Sequence, residues 1–265
     1  MSTAAITPGD DPITLERRVP AHGGLNLRLL RIEVRRLLRN RRTIIFATLM
    51  PLAFFLLFST GSSGRIGRGD YNAYTMINFA LYGALVAACA IGASVSIERA
   101  QGWSRQLRLT PLTGRAYIAT KLLTALVGSL APVVILFIAG ALRHSSLPTD
   151  AWLTSFLLTW LMGGLFASLG LFIGYLVPTE NAMQILGPLL AILAFGGGLF
   201  VPYDVLGSTM QTVARFTPMW GAGEIARWPL MGGSFEIGWL VSLVLWIGAF
   251  FLGATYFFRR DTKRV

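Results

Sequence analysis

An all-α integral membrane protein with six transmembrane helices is the fold class this sequence predicts, on three observations. The 265-residue chain is 54% hydrophobic and only 13% charged, about half the charged share of an ordinary soluble domain. Its uncharged residues gather into runs of about 17 to 25, the length that crosses a bilayer as a helix. Its 23 Lys and Arg residues flank those runs instead of coating a water-facing fold. That distribution removes the nucleic-acid partner that a net charge of +11 would otherwise invite.

The elements follow in order. Residues 1–24 are polar, with Pro8, Asp10, Asp11 and Pro20, and read as a disordered cytoplasmic tail without a cleavable signal peptide. Residues 25–42, LNLRLLRIEVRRLLRNRR, are amphipathic at helical spacing. Leu27, Leu30, Val34, Leu37 and Leu38 share one arc, and Arg28, Arg31, Arg35, Arg39 and Arg42 the arc beside it. This predicts a connecting helix in the cytoplasmic headgroup layer, acting as an anchor, a partner-docking surface, or both. A six-span domain fills 43–258, with candidate spans at 43–60, 73–97, 122–142, 153–177, 183–201 and 237–258. In the last, twelve of 22 residues are Leu, Ile, Val or Phe, worth about −4 to −7 kcal/mol of insertion free energy. Pro51 in the first span predicts a kink. Residues 259–265 form a second cytoplasmic tail.

Sidedness comes from the basic residues. The termini and the loops after the second and fourth spans hold 18 of the 23. The opposite loops hold Arg65, Arg68, Arg143, Arg215 and Arg227. The positive-inside rule places both termini in the cytoplasm of a multi-pass plasma-membrane protein. Residues 202–236 are too short to cross twice and too apolar for an ordinary loop. Leu206, Met210, Val213 and Ala214 recur at helical spacing, followed by Phe216-Thr217-Pro218-Met219-Trp220. The segment reads as short re-entrant helices in the outer leaflet, or as a surface amphipathic helix. Gly196-Gly197-Gly198 weakens the preceding span and favours a bend before Pro202.

Catalytic chemistry has no foothold here. There is no phosphate-loop motif, and the two histidines, His22 and His144, sit in a tail and a loop. The central portions of the spans lack the ionisable groups that proton-coupled carriers place there, and a metal site is not expected. Thr75, Asn78 and Tyr82 fall on one face of the second span, with Cys89 continuing it. That stripe lines a translocation path or bonds a neighbouring helix. Ala84, Ala88 and Gly92, with Gly170 and Gly174 in the fourth span, predict close helix packing.

The largest internal patch of charge, 98–112, reads ERAQGWSRQLRLTPL. Glu98, Gly102, Leu107, Thr110 and Pro111 occur at a spacing that resembles the ABC-2-type permeases, the membrane subunits of ATP-binding-cassette exporters, in their drug-exporter branch. The second acidic residue many members carry before the glycine is replaced by Ala100 and Gln101. The GGGLFVP run from Gly196 to Pro202 and the later Phe216-Thr217-Pro218 with Glu224 and Arg227 also fit. The resemblance implies a coupling helix at 98–109 that enters a separate ATP-binding-cassette ATPase subunit through Glu98, Gly102, Trp103, Arg105, Leu107 and Arg108. It implies an outer segment built on Gly198, Pro202, Phe216, Pro218, Glu224 and Arg227. It further implies a second permease chain, identical or related, a bacterial inner membrane, and ATP and Mg bound on the partner subunit, with no cofactor in this chain. The function expected is ATP-driven export of an amphiphilic, drug-like or lipid-like cargo by alternating access. A non-transporting scaffold that anchors an ATPase and an ATP-independent channel are the alternatives.

Overall fold

Three of the described helices begin at a capping side chain: Asn26, Asp70 and Thr113. The computed structural model describes residues 21–59, 64–102, 110, 112–177, 181–201 and 207–263. Helix α1 spans Leu27–Arg39, and the Asn26 side chain accepts the Arg28 N–H at 2.9 Å. Asn40 leaves the helical region (φ −84°, ψ 70°), and α2, Arg41–Phe58, departs at 58° to it. The connecting helix is therefore shorter than 25–42, because Arg41 and Arg42 open the next helix. Residues 21–24, expected in the tail, form a 3-10 turn whose Gly23 carbonyl accepts from the Thr113 N–H (2.9 Å) and hydroxyl (3.1 Å).

A two-residue antiparallel hairpin follows, β1 (Arg65–Ile66) and β2 (Gly69–Asp70). Asp70 caps α3 (Tyr71–Ala93), accepting the Ala73 N–H at 2.7 Å. Its other carboxylate oxygen takes the Ser146 N–H at 2.8 Å. Helix α4 (Val95–Ala100) prolongs α3 past Ser94, so Tyr71–Ala100 runs as one 30-residue helix. Then come α5 (Gly114–Leu142), capped by Thr113, α6 (Thr149–Leu165) and α7 (Ala167–Leu176). The remaining helices are α8 (Asn181–Gly196), α9 (Ser208–Arg215), α10 (Pro218–Met231) and α11 (Ile237–Lys263).

Among the described residues, four helices are long and apolar enough to cross a membrane: Tyr71–Ala100, Gly114–Leu142, Thr149–Leu176 and Ile237–Phe258, with a fifth if α1 and α2 count as one bent span. The chain is thus a multi-pass, all-α membrane protein. Helix α2 matches the expected first span in length, 18 residues, two positions earlier, whereas α8 falls short of the expected fifth span at 16 residues. They reach about 27 and 24 Å against a hydrocarbon core of about 30 Å. The reason in α8 is local. Gly198 takes φ +74°, and Leu199 N–H and Gly198 N–H bond back to Ala194 and Phe195 carbonyls, a glycine stop that ends the helix before Val201. At the C-terminus α11 instead continues five residues beyond the predicted end of the span.

Helix α3 is the spine, buried along nearly its whole length. It packs against α7 at small residues, as its sequence predicts. A Cβ on Gly170 would lie 2.7 Å from Cys89 Cα, and one on Gly174 3.1 Å from Ala93. Gly83 meets Pro132 of α5 and the Ala47 carbonyl of α2, an oxygen that Pro51 cannot bond because it has no N–H. Helix α2 continues through Pro51 without a break. The outward faces are greasy: Phe46, Leu49, Ile192, Phe195, Leu245 and Leu252 are all exposed, as a lipid-facing surface requires. Gly170→Leu forces α7 away from α3 and lowers the thermal midpoint in detergent by the equivalent of about 3 kcal/mol or more, while Gly238→Leu, with open space around it, leaves the midpoint unchanged.

Candidate functional site

The Glu98 end of the bundle holds an ion cluster drawn from three elements. Glu98 is only 3% exposed and Lys121 2%. Lys121 Nζ donates to Glu98 Oε1 at 2.6 Å and to Glu33 Oε2 at 2.9 Å. Arg36 Nη1 donates to the same Glu98 oxygen at 2.8 Å. The Tyr117 hydroxyl donates to Glu98 Oε2, and Lys121 lies 5.5 Å from the Tyr117 ring centroid. Residues of α1, α4 and α5 therefore converge on one carboxylate. A buried carboxylate is tolerated only when its lone pairs are met in this way.

Helical spacing builds the cluster. Tyr117 and Lys121 are i and i+4 on α5, and Glu33 and Arg36 are i and i+3 on α1. Leu37, one residue on, seats α1 in an apolar pocket with Ala88, Ile91 and Ala125. Beside Glu98, Arg99 Nη1 donates to the carbonyls of Gly174 and Tyr175, both at 3.1 Å. Its guanidinium lies 5.6 Å from the Tyr175 ring. A cation there compensates the carbonyl end of α7. Two adjacent residues of α4 thus tie the spine to α1, α5 and α7.

This corrects the start of the expected coupling helix. Glu98 and Arg99 do not open a helix at 98–109; they complete the spine, which stops at Ala100. Gly102 adopts φ +75°, and its N–H bonds back to the Arg99 carbonyl at 3.0 Å, so the helix is ended by a left-handed glycine. Nothing lies within 4 Å of a Cβ built there. Trp103, Arg105, Leu107 and Arg108 lie outside the described residues, as does Pro202.

The other end holds a second polar cluster that joins residues the sequence had assigned separately. Arg227 of α10, 2% exposed, donates to Asn78 Oδ1 (2.8 Å), Glu224 Oε1 (2.7 Å) and the Gly198 carbonyl (3.4 Å). It also lies 5.6 Å from the Tyr74 ring. Pro218 opens α10 and is buried, whereas Phe216 is exposed and its carbonyl accepts from Trp246 Nε1 at 3.1 Å.

The expected path residues do not face outward. Thr75 bonds back to the Tyr71 and Asn72 carbonyls, both at 3.0 Å. Tyr82 packs edge-on against Phe200 at 4.8 Å, and Cys89 Sγ donates to the Phe166 carbonyl at 3.1 Å. With Asn78 they are all buried among helices of their own chain. Asn78 and Cys89 bond neighbouring helices, and Thr75 bonds the backbone of its own helix.

Sequence reasoning missed Glu33, Arg36, Tyr117 and Lys121. A signal existed: Glu33 is the one acid among the arginines of α1, and Lys121 is a cation one turn after a tyrosine where an apolar run begins. Arg68 was missed too. Its N–H bonds the Leu230 carbonyl at 2.7 Å and its guanidinium pairs with exposed Asp150 at 2.7 Å, pinning the hairpin to α10 and α6. Among the described residues no group of three or more His, Cys, Asp or Glu stands together to hold a metal ion.

Span-length apolar helices, tied at one end by a buried ion cluster around the last turn of the spine, define a multi-pass membrane protein organised about that turn. The ABC-2 type transporter family model matches residues 25–231, from the approach to α1 to the end of α10, and the chain belongs to that family. It is similar to "Putative transport permease YvfS" of Bacillus subtilis (strain 168), at 27% identity over 234 residues, 86% of this chain and 95% of that protein.

The glycine stop yields a specific expectation. Because the surroundings of Gly102 are open, substitution is resisted by backbone conformation alone. Gly102→Val costs about 1–2 kcal/mol and Gly102→Asn distinctly less. Thermal melting of the purified variants in the order Gly, Asn, Val checks this, and a Val variant as stable as the wild type contradicts it.

Proposed function

We propose that this chain is the permease subunit of an ATP-driven exporter of the bacterial inner membrane, with both termini cytoplasmic and six membrane passes, α2 and α8 supplying the first and fifth. A separate ATP-binding-cassette subunit binds ATP and Mg and presses on the segment 103–109. Two permease chains, identical or related, enclose a passage along their shared face. The cargo is an amphiphilic, drug-like or lipid-like molecule. The uncharged apolar runs of the sequence favour such a cargo over an inorganic ion, which needs a charged or carbonyl-lined route.

The observation that carries this reading is the turn at Gly102. Immediately before it, Glu98 and Arg99 bind α1, α5 and α7, and the segment 103–109 follows it directly in the chain. A push delivered through Trp103, Arg105, Leu107 or Arg108 is thereby passed to four helices at once. Packed helices shift between discrete arrangements and do not flex continuously, so such a push moves the bundle as a unit. The α9 and α10 pair closes the opposite end in this reading, held to α3 by Arg227 and Asn78.

The test is reconstitution of the chain with its ATPase subunit in vesicles that report efflux of a fluorescent amphiphile. Replacing 103–109 with a glycine-serine segment of equal length is expected to abolish ATP-dependent efflux and leave the melting temperature unchanged. Efflux that persists in that variant, or that needs no ATPase, overturns the reading.

A further inference from the structure

A cavity of about 650 Å³ lies under the elbow between α1 and α2, walled by α1, the last turns of the spine and α5. Its size is that of a small-molecule site. Glu33, Arg36, Glu98 and Lys121 line its polar side, and Leu37 and Ile91 its apolar side. We propose that this cavity holds the head of a phospholipid bearing both a primary ammonium and a phosphate, with its acyl chains directed along α2.

Charge balance selects the ligand class. Among the described residues lining the cavity, two carboxylates balance two cations, so a zwitterion meets both signs. Glu98 and Lys121 are buried and committed to each other. Glu33 and Arg36 form the rim. Glu33 Oε2 takes Lys121, while Glu33 Oε1 has Arg36 only at 4.0 Å. The Arg36 side chain is 52% exposed, with Nη1 directed to Glu98. A carboxylate oxygen and a guanidinium edge thus stand side by side, matched to an ammonium and a phosphate.

Level in the membrane agrees. Arg28, Arg31 and Arg35 of α1 are exposed, whereas Ile45, Phe46 and Leu49, just past the elbow, are exposed and apolar. That switch from cationic to apolar surface marks a headgroup boundary, and Asn40 and Thr43, at the same elbow, line the cavity. The bound lipid stitches α1 to the spine beside the ion cluster.

The experiment titrates the delipidated full-length protein in detergent with phosphatidylethanolamine, phosphatidylcholine, phosphatidylglycerol and water-soluble glycerophosphoethanolamine, reading bound lipid by native mass spectrometry. Phosphatidylethanolamine is expected to bind about tenfold more tightly than phosphatidylcholine, which cannot donate to Glu33, or phosphatidylglycerol, which lacks the cation. The soluble head binds more weakly than the lipid because it makes no apolar contact. Ala90→Trp, which fills the cavity from the spine, is expected to erase the preference. Equal retention of the three lipids, tighter binding of the soluble head, or an undiminished preference in a folded Ala90→Trp protein overturns the proposal. The wild-type titration decides alone if that variant does not fold.

Discussion

One buried carboxylate sets the terms for the Glu98 end of this molecule. Moving a carboxylate out of water costs several kcal/mol even after relaxation, so Glu98 is tolerable only while its donors stay in place. Those donors come from α1 (Arg36) and α5 (Tyr117 and Lys121). Each helix is thereby held in register with the spine by a penalty for leaving. An apolar contact would slide at little cost; this one does not. The ion cluster makes a joint of defined geometry in a bilayer setting where the hydrophobic effect no longer distinguishes helix from lipid.

The joint works because the spine can be approached closely. Gly170, Gly83 and the alanines of α3 bring backbones together, and dispersion contact replaces hydrophobic driving force as the source of packing energy. Where the spine must end, Gly102 ends it four residues past Glu98; where α8 must end, Gly198 stops it and offers its carbonyl to Arg227. The two polar clusters therefore sit beside glycine stops, at opposite ends of the long helix, and both recruit residues distant in sequence.

Much of this was legible beforehand, for physical reasons. The second, third, fourth and last apolar runs were readable because hydrophobic length and a missing charge report directly on burial in lipid. The connecting helix was readable from its 3.6-residue periodicity, and the small residues of α3 and α7 from their four-residue spacing. Pairing was not legible. Asn78, Glu224, Gly198 and Arg227 were each singled out, yet nothing local says that they meet. Glu98 was assigned to a partner by resemblance, and only the fold shows Lys121 and Tyr117 burying it. The fifth run was read too long because three glycines count as uncharged although they stop a helix. Lys121 escaped notice because its partners lie 23 and 88 residues away.

The most direct test of the account is a double-mutant cycle on Glu98→Gln and Lys121→Met, read as apparent unfolding free energy in lipid nanodiscs. Each single change is expected to cost about 3–5 kcal/mol by unbalancing the buried cluster, and the pair to cost less than the sum, with a coupling of at least about 1.5 kcal/mol. Additive losses, or single changes within about 0.5 kcal/mol of wild type, would show that Glu98 is not the joint on which the helices are hung.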